Sequence, residues 1–140
     1  MSERIWTASL PEVFDVARQI GSTLGDHAIL FLRGELAAGK TTLVKAFATL
    51  KGCGTPVTSP TFSIQQIYDC GIYHYDLYQC PTQKFLTMGL TESLEEPGWH
   101  LIEWGDETLE NLLKAHGFDV TVLTIETTPV GRRYRMVQDA

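Results

Sequence analysis

The chain is short of cysteine, of arginine through its middle and of net positive charge, and each shortage excludes chemistry. Its three cysteines, Cys53, Cys70 and Cys80, are widely spaced and form no Cys-x-x-Cys pair. Neither a zinc site nor a disulfide framework is therefore expected, and the thiols are expected to be reduced and structural. His27, His74, His100 and His116 add no metal-ligand spacing to them. No arginine stands between Arg33 and Arg132, which weakens the case for a small-molecule kinase closing an arginine-rich lid over its phosphates. The apolar runs, such as Ala28 to Leu32, are far shorter than the roughly 20 residues that cross a bilayer as a helix. Met1 to Trp6 lacks the basic and then apolar pattern of a secretory leader, so no membrane association and a cytoplasmic location are expected. The formal charge of −6 argues against a lone nucleic-acid binder, because neutralising phosphates supplies much of such affinity. RNA contact would need a basic partner.

What is present suits one globular domain over residues 1–140, with 44% hydrophobic and 20% charged residues and no repeat, low-complexity tract or linker. Residues 4 to 8 read as a first edge strand. Ser9-Leu10-Pro11-Glu12 then offers an N-cap, an early helical proline and a capping-box acid. Val13, Ala17, Ile20 and Leu24 follow at helical spacing, with Gly25 as the stop. Ala28 to Arg33 is a continuous apolar run of the kind that forms a strand buried on both faces. Lys40 to Leu50 reads as a helix turning Leu43, Phe47 and Leu50 inward and closing at Lys51-Gly52. Phe62 to Tyr68 and Ile72 to Tyr75 flank Asp69-Cys70-Gly71 and predict a hairpin. Trp99 to Trp104 predicts a strand, Asp106 the N-cap of a helix carrying Leu109, Leu112 and Leu113 to Gly117, and Val120 to Thr127 and Arg132 to Val137 the last strands. The alternation predicts a three-layer α/β domain, P-loop NTPase-like, with a mixed parallel and antiparallel sheet.

Between the buried strand and its helix stands Gly34-Glu35-Leu36-Ala37-Ala38-Gly39-Lys40-Thr41, a gapless match to G-x-x-x-x-G-K-[ST]. Average usage makes a chance match in such a chain roughly one in two hundred, and strand-loop-helix is the setting that the motif needs. Glycines let backbone N–H groups wrap a phosphate, and the helix N-terminus adds a favourable dipole. Lys40 supplies a point charge for the β- and γ-phosphates. The Thr41 hydroxyl is placed to ligate Mg²⁺, and Thr42 to reach another phosphate oxygen.

Hydrolysis asks for more: a group that orders water and a further metal anchor. Asp76 follows one predicted strand and Glu103 ends another, so both could share the sheet edge that carries the loop. A solvated or capping carboxylate is the competing reading of each. Thr58-Ser59-Pro60-Thr61-Phe62 offers hydroxyls before a strand, as a sensor of the γ-phosphate or as a plain turn. Arg132-Arg133-Tyr134-Arg135 is the one basic cluster, readable as a solvated strand face or as a docking patch for an acidic partner or RNA backbone.

Taken in order, the loop from Gly34 to Thr42, Ser59-Pro60-Thr61-Phe62, His74-Tyr75-Asp76-Leu77-Tyr78 and Leu101-Ile102-Glu103-Trp104 resemble the bacterial TsaE (YjeE) family, over most of the chain. Met88-Gly89-Leu90 to Glu92 is similar to a further segment of that family. The resemblance implies the ATPase component of the machinery that makes N6-threonylcarbamoyladenosine in tRNA, with ATP and Mg²⁺ as cofactors. It implies partnership with the TsaD transferase and its paralogue TsaB, tRNA being met only through that complex, and a nucleotide cycle that resets it. It implies that Lys40 and Thr41 bind phosphate and metal, and that Ser59 to Phe62 form a switch-like loop with Thr61 near the metal or γ-phosphate. Asp76 becomes a metal-side or water-ordering acid, Glu103 a Walker-B-type acid and metal ligand, and Trp104 a neighbour of the site or of a partner surface, against a merely packing role. Two departures stand out: Ala37 where the family usually has glycine, and Gln79 where it usually has arginine. If position 37 needs positive φ, alanine costs on the order of 1 kcal/mol there. A nucleotide-gated binding module with incidental hydrolysis is the alternative function.

Overall fold

Strand alternation sorts the apolar side chains into two cores, one on each face of a single sheet. The structure, a computed structural model, describes residues 2–9, 12–35, 39–54 and 64–138. Its elements run β1 (Ser2–Ala8), α1 (Val13–Gly21), β2 (His27–Arg33), α2 (Lys40–Lys51), β3 (Gln65–Tyr68), β4 (Ile72–Asp76), α3 (Thr82–Thr87), α4 (Leu90–Ser93), β5 (Gly98–Glu103), α5 (Glu107–Ala115), β6 (Val120–Thr128) and β7 (Gly131–Gln138). Leu30 and Leu32 of β2 point to one face, where they join Ala17, Ile20, Leu43, Val44 and Phe47 of α1 and α2. Ile29 and Phe31 point to the other, among Phe85, Leu90, Leu94, Leu109 and Leu113 of the α3 to α5 region. Side chains alternate with period two, so one unbroken apolar strand serves both layers. The result is the mixed α/β sandwich that the element order predicts.

The seven strands lie in the order β1-β7-β6-β2-β5-β4-β3. β2 pairs in parallel with β5 and β6, and β5 in parallel with β4. The β1-β7, β6-β7 and β3-β4 pairs are antiparallel. β2 thus sits where the connections part to either side, and the carboxyl ends of β2, β4, β5 and β6 share one edge. Ligands of open α/β sheets bind at such an edge.

Local chemistry explains where the boundaries differ from expectation. Ser9 and Glu12 do meet, but both the amide and the hydroxyl of Ser9 donate to Glu12 Oε1, at 2.8 and 2.6 Å. The serine hydroxyl is spent on the acid, and α1 starts only at Val13. It ends at Gly21, four residues before the expected stop, because the Ser22 and Thr23 hydroxyls donate to the carbonyls of Gln19 and Ile20, each at 2.7 Å. Asp106 caps α5 as predicted, its Oδ1 accepting from the Leu109 amide at 2.8 Å. Helices α3 and α4 were not expected, being too short for a periodic signal; each inserts an anchor, Phe85 or Leu90, into the second core. β3 begins at Gln65, and Phe62 and Ser63 lie outside the described residues.

The cysteine expectation needs correcting. Cys53 and Cys70 form a disulfide, with Cα atoms 4.8 Å apart. The turn after α2 and the β3-β4 turn meet there, a long-range encounter that a separation of 17 residues without a Cys-x-x-Cys pair does not announce. Cys80 alone stays free and half-buried. Among the described residues no helix is long and apolar enough to cross a membrane.

Candidate functional site

The loop after β2 is held at both ends. At its start, Arg33 donates from Nε to the Gly105 carbonyl at 3.2 Å and from Nη2 to Glu110 at 2.8 Å, tying the end of β2 to the segment after β5. At its far end Gly39 adopts φ 102°, a conformation that costs an L-residue roughly 1 kcal/mol or more, immediately before α2 opens at Lys40. The first bond of the helix runs from the Leu43 amide to the Gly39 carbonyl at 3.0 Å. The amides of Lys40, Thr41 and Thr42 therefore precede the intrahelical ladder, whose N-cap, Gly39, has no side chain to offer. Leu36, Ala37 and Ala38 lie outside the described residues, and so do Ser59 and Thr61 of the Thr58 to Phe62 segment.

Lys40 is buried, with 3% of its surface exposed. Its ammonium donates to the carbonyls of Gly34 and Glu35 at 2.6 and 3.2 Å and stands 3.7 Å from the centre of the Trp104 ring. Burial pushes its pKa below the usual lysine value, while the Glu103, Asp76 and Glu35 carboxylates pull the other way. Glu35 itself is exposed and Gly34 half-buried. One cation thus faces carboxylates from the ends of two other strands.

Those ends are brought side by side by the sheet. In the parallel β4-β5 register Asp76 pairs with Glu103, and the Glu103 carbonyl accepts from the Leu77 amide at 3.0 Å. Glu103 is buried, and its Oε2 accepts from His74 Nε2 at 2.5 Å. His74, fully buried, stacks on Tyr68 with ring centres 6.5 Å apart. The Nδ1 of His74 is buried with no hydrogen-bond partner among the described residues. Asp76 is half-buried, and its Oδ1 takes the Tyr78 amide at 3.0 Å. Sequence spacing offered His74 no metal-ligand pattern but put it within a family motif, as a residue that could contact the site, without revealing Glu103 as its partner. The available signal was its place two residues before Asp76, on the same face of β4.

Trp104 lies between these groups and solvent. Its φ of 63° is unusual for a bulky residue and carries strain on the order of 1–3 kcal/mol. The ring packs against Tyr78 at 5.1 Å as well as over Lys40, beside a cavity of about 460 Å³ also lined by Leu77, Pro81 and Asp106. It also packs against the second core, so a packing role stands beside its contact with Lys40. The basic run is divided by alternation along β7: Arg133 and Arg135 are exposed and pair with Glu126 and Glu3 at 3.4 and 3.0 Å, whereas Tyr134 is buried on the opposite face.

The family model described as "Threonylcarbamoyl adenosine biosynthesis protein TsaE" matches residues 7–134. A relative named tRNA threonylcarbamoyladenosine biosynthesis protein TsaE, from Bacillus subtilis, is 37% identical over 149 aligned residues, covering 98% of this chain and 92% of its own. One of the same name from a Nostoc species is 32% identical over 127 aligned residues, covering 81% and 78%. Among solved structures, that of YdiB from Bacillus subtilis superposes with a TM-score of 0.72 at 25% identity, covering 99% of this chain and 87% of the other.

Proposed function

The chain belongs to the TsaE family, and from that premise we propose that it is a Mg²⁺-dependent ATPase, weakly active alone, that serves N6-threonylcarbamoyladenosine formation in tRNA by binding and resetting the TsaB–TsaD pair. The observation that carries this reading is the convergence on Lys40. A buried ammonium at the start of α2 faces Glu103 and Asp76 from the ends of β5 and β4. Keeping an ammonium out of water costs several kcal/mol, which is hard to account for in a lysine that merely packs.

The described residues suit a phosphate chain and its metal. Gly39 adds no side chain at the start of α2, and the leading amides and the dipole of the helix favour an anion. Lys40 would exchange its bonds to Gly34 and Glu35 for phosphate oxygens. The Thr41 hydroxyl and the Glu103 carboxylate would hold Mg²⁺, with Thr61 as the third candidate and Asp76 beside them. When bound, the metal supplies charge neutralisation on the β- and γ-phosphates. Asp76, the less buried acid, would orient water, and the His74 bond would hold the direction of Glu103. Trp104 and Tyr78 give the site an aromatic rim through which phosphate occupancy could reach a partner surface. A net charge of −6 fits a protein that meets tRNA only through its complex, and a cytoplasmic location fits that role.

One observation favours the nucleotide-gated binding module: the His74 bond occupies one oxygen of Glu103 and so competes with metal or water. Glu103→Ala separates the two readings. An ATPase engine loses multiple-turnover modification and phosphate release while still binding its partners; a binding module keeps modification and binding alike. Phosphate release from ATP that Glu103→Ala leaves at the wild-type rate would remove Glu103 from the chemistry.

A further inference from the structure

Cys53 and Cys70 meet at the far end of two elements that carry the site. Lys40 opens α2 and Cys53 comes just after its end; Asp76 closes β4 and Cys70 stands just before its start. Its 12 residues make α2 about 18 Å long, so the disulfide lies well away from the Lys40 ammonium. Each cysteine is fixed to its element by the backbone. The Cys53 amide donates to the Ala48 carbonyl at 2.9 Å, past a left-handed Gly52 at φ 75°. On the other side the Gly71 amide donates to the Tyr68 carbonyl at 3.3 Å, closing the β3-β4 turn around Cys70. The Gly71 carbonyl accepts in turn from the Trp99 amide at 2.9 Å. The disulfide therefore couples α2 to the β4 side of the sheet. In the sequence the pair also brackets Ser59 and Thr61.

The bond is open to exchange. Both cysteines are half-buried, beside the exposed Gly52, Gly54 and Asp69, so a thiol can reach the sulfurs from solvent. Cytoplasmic thiol pools keep most cysteines reduced, and the disulfides that form there are commonly transient. A permanent bond is thus at odds with the cytoplasmic location proposed above, whereas a reversible one fits it. We propose that Cys53–Cys70 is a reversible modification site, exchanged with a dithiol reductant, whose oxidised form slows the nucleotide cycle. The inference rests on the ATPase reading and adds regulation to it. A thiolate of the reductant attacks one sulfur, forming a mixed disulfide and releasing the other cysteine as a thiolate that takes a proton. The second thiol of the reductant then attacks the mixed disulfide and releases the remaining cysteine. The reductant ends as a disulfide and the protein as a dithiol, two electrons and two protons having passed between them. The oxidised arrangement already gathers Lys40, Glu103 and Asp76, so it keeps its affinity for nucleotide. A cycle needs more than one position of its parts, and a cross-link between α2 and β4 holds one.

Two readouts test this. In glutathione buffers running from reducing to oxidising, alkylation and peptide mass should show Cys53 and Cys70 passing reversibly between dithiol and disulfide. Phosphate release from ATP is then compared for protein preset in each form. The oxidised form should be slower by at least about 5-fold, the lower end of typical couplings between sites, with Mg·ADP affinity unchanged by calorimetry. Cys53→Ser should match the reduced rate after either treatment. Reduction also lowers stability, which works against activity, so a faster reduced form is not a folding effect. A pair that stays oxidised at every glutathione ratio is structural and overturns the inference. A pair that stays reduced at every ratio while holding zinc with Asp69 is a metal site and overturns it too. Equal rates for the two forms, with Lys40→Ala inactive, overturn the inference and leave the ATPase reading standing. If Lys40→Ala releases phosphate like wild type, the ATPase reading fails and the inference falls with it.

Discussion

Replacing Lys40 with methionine should abolish nucleotide binding while barely changing the stability of the ligand-free protein, and the structure explains both halves. Methionine keeps length and apolar contact with Trp104 but removes the charge. The loss comprises two charge-assisted bonds, to Gly34 and Glu35, worth about 1.5–3 kcal/mol each. A cation–π contact at 3.7 Å adds about 0.5–2 kcal/mol. Against this stands the desolvation of a buried ammonium, several kcal/mol. The lowered pKa of Lys40 shows that burial outweighs the attraction of Glu103, Asp76 and Glu35, so the charged form is disfavoured by the fold. The two sides nearly cancel, and a net change within about 1 kcal/mol follows. For 140 residues that corresponds to a shift of about 3–4 °C in Tm. The pH dependence has a definite sign. Between its folded and unfolded pKa values Lys40 binds its proton only in the unfolded chain, so wild type gains stability relative to Lys40→Met as pH rises through the folded pKa. Scanning calorimetry across neutral to alkaline pH, paired with nucleotide titration, reads all of this. A fall in Tm beyond about 10 °C would make Lys40 a structural residue and refute the reasoning.

Three further outcomes follow from the same structure. His74→Phe should cost about 1–3 kcal/mol by leaving a buried Glu103 oxygen without its donor, read by urea unfolding; an unchanged midpoint would show that the pair carries no stability. The Cys53–Cys70 disulfide closes a loop of 17 residues, worth about 3 kcal/mol on chain entropy. Reductant should therefore lower the Tm of the oxidised protein by about 10 °C, and Cys53→Ser should erase the difference. Glu110 is half-buried, and burial alone would raise its pKa, but Lys114 and Arg33 together bring it below the ordinary carboxylate value. Its stabilisation is present above the unfolded pKa and disappears as pH falls through the folded one, so Glu110→Gln should flatten acid melting curves below about pH 5.

The glycine loop, the strand before it and the helix after it were legible because they are local: one apolar run and two glycines with fixed offsets settle them. The placement of Asp76 and Glu103 as register partners was only half legible, since each strand could be read but the β4-β5 pairing depends on sheet order. His74 reaches Glu103 across 29 positions, and no periodicity reports such a partner. Arg132 was read only within one basic cluster, as a solvated strand face or a docking patch. Strand alternation predicts the division of that run into two faces, but the neighbour on one face, Gly39, appears only when β7 returns beside β6. The cysteine pair failed for the same reason, because α2 and the β3-β4 turn meet through tertiary packing. Helices α3 and α4 fell below the length at which periodicity can be read.

The central claim is that phosphate binding at Lys40 drives a partner's chemistry on tRNA. Its most direct measurement is multiple-turnover formation of threonylcarbamoyladenosine by the TsaB–TsaD pair, with this protein supplied as wild type or as Lys40→Ala. Wild type should sustain repeated turnover in the presence of ATP, and Lys40→Ala should not. Equal turnover numbers with the two proteins would contradict the account.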